Sequence, residues 1–285
     1  MRWDRPDRSR TDLRDVADEL SMASATLKSF LIWTRNSVQK LLAPLALRPS
    51  RLIAGHRFFF DPATDIGLEL LARGQFEKKA IAQCAKFIHA DGVVVDVGAN
   101  IGVHTVHFAA FARLGKVICF EPARSTFTFL LRNVNHLSNV IPLNVALSDA
   151  TGVQPFFVAA DNAYSGLKDT NRKAILRQEL VACLKGDDIL SPMLRNQRVD
   201  LIKIDVEGLE TEVLRGMREF LIAHKPVIFC EIFGGQRSNA DPESTVRFCI
   251  ALGYDAFVLS GEELLPAGVH NDSFYNYFFV PRTQN

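Results

Sequence analysis

The 285 residues lack several features that would have settled the protein's class at once. No stretch approaches the roughly 18 consecutive apolar residues of a membrane-spanning helix. The five cysteines, Cys84, Cys119, Cys183, Cys230 and Cys249, are odd in number and nowhere form a CxxC pair, which excludes a disulfide framework or a zinc knuckle built on that spacing. Cys119 and Cys230 lie inside apolar, strand-like runs, so the set reads as reduced core residues. Charge of one sign is not in excess: 33 Lys and Arg against 32 Asp and Glu leave a net +1, too little for a general nucleic-acid binder that must neutralise many phosphates. The N-terminus intersperses Asp4, Asp7, Asp12, Asp15 and Asp18 with arginines and resembles neither a secretory nor a transit peptide. These absences give the expectation of a cytoplasmic protein acting on a small molecule or a local polymer. No internal repeat or low-complexity tract breaks the chain.

What is present is 48% hydrophobic content, enough to bury one full core with an extension attached. The expected division is 1–57 and 58–285. Residues 1–19 are Arg/Asp-rich and read as a tail. From 20 to 57 the chain carries basic residues without a single acid, and apolar residues between Leu27 and Leu45 recur at three and four. That pattern predicts a basic amphipathic helix over 27–45, available to the folded domain, to a second subunit in a homodimer, or to an acidic membrane surface as a peripheral contact. From Phe58 onward strands and helices alternate, with strands expected at 93–97, 116–120, 141–147, 153–159, 178–184, 200–205, 227–232, 254–259 and 274–280. Helices are expected at 77–89, 103–113, 123–137, 188–196, 208–223 and 241–252. Such alternation implies an α/β, doubly wound, mainly parallel sheet with helices on both faces. The last run follows its predecessor without an intervening helix, so an antiparallel final strand is expected.

The most informative stretch is Val93-Val-Val-Asp-Val-Gly-Ala-Asn-Ile-Gly102, an apolar strand that runs into a glycine turn opening a helix. Gly98 and Gly102 suit a tight turn close to a ligand, but the first glycine of the dinucleotide fingerprint is replaced by Asp96. A carboxylate there would repel a pyrophosphate and attract a cation, which disfavours a nicotinamide cofactor. Glu121 ends the next apolar run, 19 positions after Gly102, near the spacing at which nucleotide sites place a ribose-binding acid. A ligand with a ribose and a positive centre fits both, and S-adenosylmethionine is the common cofactor of that description.

A second junction, Val199-Asp-Leu-Ile-Lys-Ile-Asp-Val-Glu-Gly-Leu-Glu210, concentrates Lys203, Asp205, Glu207 and Glu210 where a buried strand ends. If this strand neighbours the one at Val93 across the reversal of strand order, Asp205 and Glu207 emerge beside the glycine turn. Lys203 shares a strand face with Asp205, and Glu231 ends a further apolar run on the same rim. Asp205 is the first candidate for taking the proton of an acceptor hydroxyl, with Glu231, His104 and His107 behind it. His104 and His107 stand at i and i+3 with no third metal ligand at readable spacing; Asp205, Glu207 and Glu231 form a less favoured site for Mg²⁺.

Taken together, Val-Asp-Val-Gly-Ala-Asn-Ile-Gly at 95–102, Phe-Glu-Pro at 120–122, Asn-Val-Ala-Leu-Ser-Asp at 144–149 and Leu-Ile-Lys-Ile-Asp-Val-Glu-Gly-Leu-Glu at 201–210 resemble the FkbM family of S-adenosylmethionine-dependent methyltransferases. The resemblance covers roughly 60–280, and the last block is its most specific motif. It implies a seven-stranded Rossmann-like sheet of the class I methyltransferase type. It also implies that Asp96, Gly98, Asn100 and Gly102 surround the methionine part of the cofactor, that Glu121 binds the ribose, and that Ser148 with Asp149 lies by the adenine. Lys203, Asp205 and Glu207 would stand at the reacting end, for O-methylation of a sugar, glycolipid, polyketide or related metabolite. Val103-His104 and Lys185-Gly186 depart from the family's usual pattern. N-methylation, and a non-catalytic cofactor-binding or scaffold role, are the alternatives.

Overall fold

The computed structural model of the chain describes residues 49–234 and 241–282. The basic helix expected over 27–45 lies outside the described residues. One compact unit begins at Pro49, so the expected boundary at 57/58 falls inside a hairpin, β1 (Ser50–Ile53) and β2 (His56–Phe59), and is corrected. Ala54 and Gly55, both at positive φ, turn this hairpin as two-residue loops require. Its apolar side brings Phe58, with Phe60 just beyond, into the core at 0% exposure. Asn133, itself fully buried, fastens it: its side chain accepts from the Phe59 amide at 2.8 Å and donates to the carbonyls of Phe59 and Ile101 at 2.9 and 2.8 Å.

Helices α1 (Asp65–Arg73) and α2 (Lys78–Ala85) lead to β3 (Val93–Val97), whose five residues are all buried. Burial on both faces is what a run of β-branched residues in a central parallel strand predicts. The chain continues through α3 (Val103–Phe111), β4 (Lys116–Phe120), α4 (Arg124–Val134) and β5 (Val140–Leu143) to one sheet edge. It then returns to the other side of β3 with β9 (Val199–Ile204), followed by β10 (Val227–Glu231). β3 pairs in parallel with both β4 and β9, so strand order reverses between β3 and β9, where an α/β sheet opens its ligand crevice. With β11 (Tyr254–Ser260), β12 (Glu263–Pro266) and β13 (Asn276–Pro281), the central sheet has the order β12-β11-β13-β10-β9-β3-β4-β5. Its last strand, β13, is antiparallel as expected, inserted between β10 and β11.

Three features differ from the expected plan. The strand read over 141–147 breaks at Asn144, whose side chain donates to the carbonyls of Glu121 and Pro122. The chain resumes as β6 (Ala146–Ser148) in a separate sheet with β7 (Gly152–Ala159) and the eleven-residue β8 (Ile175–Lys185). The helix read over 208–223 is interrupted at Met217 into α6 (Glu210–Gly216) and α7 (Arg218–His224). Asp187, in α5 (Gly186–Leu194), accepts the amides of Glu219 and Phe220 and so caps the second piece. Finally, β12 (Glu263–Pro266) pairs with β11, giving eight strands in the central sheet where seven were expected. The hairpin, α3 and α4 pack on one face of the sheet, while α5, α6, α7 and α8 (Pro242–Ala251) pack on the other. All five cysteines are buried and unpaired.

Candidate functional site

The carboxyl ends of β3, β4, β9 and β10 deliver the loop Gly98–Gly102, Glu121, the segment Asp205–Leu209 and Glu231 to one rim. Between them lies a cleft with about 630 Å³ of atom-free space, its open mouth included, lined by Gly98, Asn100, Glu121, Ala146, Leu147 and Asp205 among others. Its far wall comes from a 3-10 turn, Asn162–Tyr164, and the loop that follows. Asn162, Ala163 and Leu167 carry no motif and reach the cleft by folding of a polar loop. An adjoining cavity shares Gly98, Asn100, Asp205 and Glu207, and is completed by Glu77, His104, Lys203 and Glu231.

The glycine turn is satisfied from within. The amides of Gly98 and Ala99 donate to the Phe120 carbonyl at 3.0 and 2.9 Å, and that of Gly102 to Ala99 at 2.9 Å. Asn100 donates its amide to Glu121 Oε2 at 3.0 Å, and Ile101 to the Asn100 side chain at 2.8 Å. Five consecutive amides therefore face protein acceptors, unlike the open amide cradle that binds a pyrophosphate. Gly98, at φ +76, is required by close packing: a Cβ would lie 1.9 Å from the Asp205 carbonyl oxygen. Gly102, at φ +93, packs against Leu130 and does not line the cleft.

Glu121 is 6% exposed and lines the cleft. Burial pushes its carboxyl up to about 7, although the Ala123 and Asn100 amides oppose the shift. These amides hold one oxygen each, at 2.9 and 3.0 Å, leaving each oxygen a further lone pair for an incoming donor.

Asp96, expected beside the ligand, lines neither cavity. It is 0% exposed and lies opposite Lys203 in the β3–β9 register. Its Oδ2 accepts from Thr105 at 2.6 Å, while Oδ1 has no hydrogen bond and stands 3.4 Å from Lys203 Nζ. The cation that a carboxylate at this position attracts is the protein's own lysine. Lys203 also reaches Asp205 Oδ2 at 3.4 Å and donates to the Gly98 carbonyl at 3.0 Å. Burial lowers its pKa, but the carboxylates of Asp205, Asp96, Glu77 and Glu231 outweigh that and hold it above the ordinary lysine value.

Asp205 keeps a third of its side chain exposed, at 32%, and lines both cavities. Glu231 beside it is pushed well above the usual carboxylate range by burial first, then by the charge of Asp205. Glu207 is brought to the same rim at φ +56, a strained conformation for a non-glycine residue. Its Oε2 accepts from Arg172 Nη1 at 2.7 Å, and the Arg172 guanidinium lies 4.3 Å from the Tyr164 ring centroid. Burial, then Asp205, raises the Glu207 carboxyl to about 8 against the pull of Arg172.

Ser148 and Asp149, expected beside the cleft, do not line it; Val145, Ala146 and Leu147 do. The Ser148 carbonyl packs so closely on Gly216 that a Cβ there would meet it at 1.9 Å, which commits this end of β6 to α6. His104 is 6% exposed among Phe76, Phe108 and Phe229, with Nε2 3.3 Å from Glu77 Oε2. Glu77 sits before α2 at φ +43 without capping it. His107 is lowered to about 4 by burial, then by His104. Among the described residues no group of three or more His, Cys, Asp or Glu could hold a metal ion, the Asp205, Glu207 and Glu231 set included. Nor is any described helix long and apolar enough to cross a membrane.

Comparison with known proteins identifies the domain that carries this cleft. Residues 96–255, more than half of the chain, match the model of the methyltransferase FkbM domain. A hexuronic acid methyltransferase, AglP of Haloferax volcanii, is 31% identical over 161 residues, which cover 55% of this chain and 61% of that protein. Methyltransferase 1 of Beauveria bassiana is 28% identical over 178 residues, covering 56% of this chain and 71% of its own. The chain thus spans roughly six to seven tenths of the length of these curated relatives. A crystal structure of methyltransferase FkbM from Methylobacillus flagellatus is similar at 17% identity and a TM-score of 0.45, covering 67% of this chain and 44% of that one. The chain belongs to the methyltransferase FkbM domain family.

Proposed function

We propose that the protein is an S-adenosylmethionine-dependent O-methyltransferase acting on a hydroxyl of a sugar, glycolipid, polyketide or related metabolite. The cleft suits the cofactor that the family implies: Glu121 has two oxygens with spare acceptor capacity for ribose hydroxyls, and the glycine turn offers no open amides for a diphosphate. Gly98, Asn100, Glu121, Ala146 and Leu147 would hold it along the cleft. Bound there, S-adenosylmethionine supplies a methyl group on a sulfonium, open to in-line attack.

The observation that carries the reading is the position of Asp205. It is a partly exposed carboxylate where cleft and adjoining cavity meet, held by Lys203 on one side and beside Glu231 on the other. A free alcohol is a poor nucleophile at neutral pH, so a carboxylate within reach that takes its proton during attack gives about 10²–10⁴ in rate. Lys203 fixes the orientation of Asp205 and balances Asp96, and Glu231, its carboxyl raised by burial, stands beside the base. The Arg172–Glu207 pair ties the loop that carries Arg172 to the rim of the cleft. The hexuronic acid specificity named for the Haloferax relative favours a saccharide acceptor here. A near-neutral net charge disfavours nucleic acid.

The test is incubation of the purified protein with methyl-labelled S-adenosylmethionine and fractionated metabolite extracts, followed by mass spectrometry for a gain of one methyl. Carbon NMR of the product then distinguishes a methyl on oxygen from one on nitrogen. A product methylated on nitrogen, or cofactor binding with no transfer to any extract, overturns the reading in favour of an N-methyltransferase or a non-catalytic cofactor binder.

A further inference from the structure

Outside the cleft, a second groove runs between the end of α1 with the turn into α2 on one side, and the β11–β12 turn with the approach to β13 on the other. It encloses about 1360 Å³ of atom-free space, open mouth included, against about 630 Å³ for the cleft. Phe76 and Glu77 line both this groove and the cavity that contains Asp205 and Glu231, so these two residues are what stands between the two spaces. A molecule lying in the groove would reach the reacting end past them.

Four properties of the walls narrow down the occupant. Tyr275 lies with its ring stacked on Phe233 at 5.1 Å and 13°, and is 46% exposed, which leaves a supported aromatic face toward the groove. Burial raises the Tyr275 hydroxyl's pKa, with the charges of Glu77, Glu231 and Glu69 adding to it. Asn276 lines the groove and carries a buried Oδ1 with no hydrogen-bond partner among the described residues, an acceptor in want of a donor. Lys78 and Lys79 are exposed on the rim and form no ion pair with a described residue, whereas Arg73 is engaged by Glu69 at 3.4 Å. An apolar ligand would leave Asn276 unsatisfied. A compact one would leave most of the groove unfilled.

We propose that this groove is the acceptor channel and takes an extended acidic saccharide, one ring stacked on Tyr275, hydroxyls donating to Asn276, acidic groups against Lys78 and Lys79, and the terminal hydroxyl delivered past Phe76 and Glu77 to Asp205. The delivery of a hydroxyl rests on the O-methyl-transfer reading. Occupation of the groove does not.

The experiment uses the full chain, loaded with S-adenosylhomocysteine, on an array of acidic and neutral oligosaccharides. Acidic glycans are expected to be retained in preference to neutral ones of the same length. The double variant Lys78→Glu/Lys79→Glu should lower that retention at least tenfold, and Tyr275→Ala should lower it at least tenfold, while Tyr275→Phe retains most of it. Affinity for S-adenosylmethionine, measured on each variant, reports that the fold and cleft are intact. Retention of no glycan by the parent overturns the proposal, as does parental retention by the lysine and Tyr275→Ala variants. Acidic glycans bound in the groove but not methylated would sink O-methyl transfer alone; methylation of a simple sugar unaffected by the groove variants would sink the channel alone.

Discussion

Glu121 makes a prediction in which two opposite pH dependences must appear together. Its carboxyl stands at about 7 rather than the ordinary 4.5, because burial outweighs the two amides that stabilise its charge. Since the folded-state value is raised, the folded protein binds the extra proton between about 4.5 and 7, and stability conferred by this group is present below 4.5 and lost as pH rises through 7. At about 1.4 kcal/mol per unit, the shift makes the ligand-free protein roughly 3 kcal/mol less stable at pH 8 than at pH 4 from this one residue. Cofactor binding runs the other way. Two ribose hydroxyls need the ionised carboxylate as acceptor, so affinity for S-adenosylmethionine should rise with pH up to about 7 and level off above it.

The perturbation that isolates the group is Glu121→Gln, which keeps size and one acceptor oxygen. One of the amides of Asn100 and Ala123 then loses its acceptor, so some stability is lost along with affinity. Charge-assisted hydrogen bonds contribute about 1.5–3 kcal/mol each, so affinity should fall roughly ten- to a thousandfold near pH 8. The variant's remaining affinity should show no step at pH 7 beyond the titration of the ligand's own ammonium, common to both proteins. Isothermal calorimetry from pH 5.5 to 8.5 reads the affinities, and urea unfolding reads the stabilities. Parent and variant with parallel pH profiles, or a variant of parental affinity at pH 8, would refute the ribose assignment of Glu121.

The remaining sites make shorter predictions. Asp205→Asn should lower kcat by roughly 10²-fold or more with cofactor affinity nearly unchanged, and parental turnover at saturating substrates would remove it as the base; EDTA, tested on the parent, should leave the rate intact, and a loss restored by Mg²⁺ would make the acids metal ligands instead. Lys203→Met leaves the fully buried Asp96 without its cation and should destabilise the protein by about 3–5 kcal/mol in urea, where a change under 1 kcal/mol would show that the pair is dispensable. Arg172→Ala removes the group that opposes the upward shift of Glu207, so the Glu207 carboxyl titration followed by carbon NMR should move from about 8 to higher pH; an unmoved midpoint would mean that the 2.7 Å pair does not persist in solution. A chain beginning at Pro49 should retain cofactor affinity within a few-fold, whereas one beginning at Phe60 should unfold, since it loses the hairpin that Asn133 secures; calorimetry and circular dichroism decide both.

The legible parts of this molecule are those where one local rule decides the outcome. Val93–Val97 is a central strand because β-branched residues buried on both faces have few other places to go, and its pairing with β9 follows once ligand-binding acids are assigned to the ends of both strands. Glu121 was legible by spacing from Gly102, and Lys203 by its strand face shared with Asp205. The partner of Asp96 was not legible, because a sequence shows a carboxylate's charge but not which cation will reach it first; the β3–β9 register supplies Lys203 directly opposite. Ser148 and Asp149 lie off the cleft because the break at Asn144 hands the chain to a second sheet, a decision made by side-chain hydrogen bonds to Glu121 and Pro122 across 23 and 22 positions. No motif singles out Glu77, Arg172 or Asn162: Glu77 stands just before α2, and Arg172 and Asn162 lie in the polar stretch between β7 and β8. Their absence from any motif has a physical consequence. On the proposed reading, the strand ends set by local rules hold the part of the site that every methyl transfer needs, and the loops set by distant contacts hold the part that selects an acceptor. Substitutions at Glu77, Arg172 or Tyr275 should therefore change which molecule is methylated sooner than whether the cofactor binds.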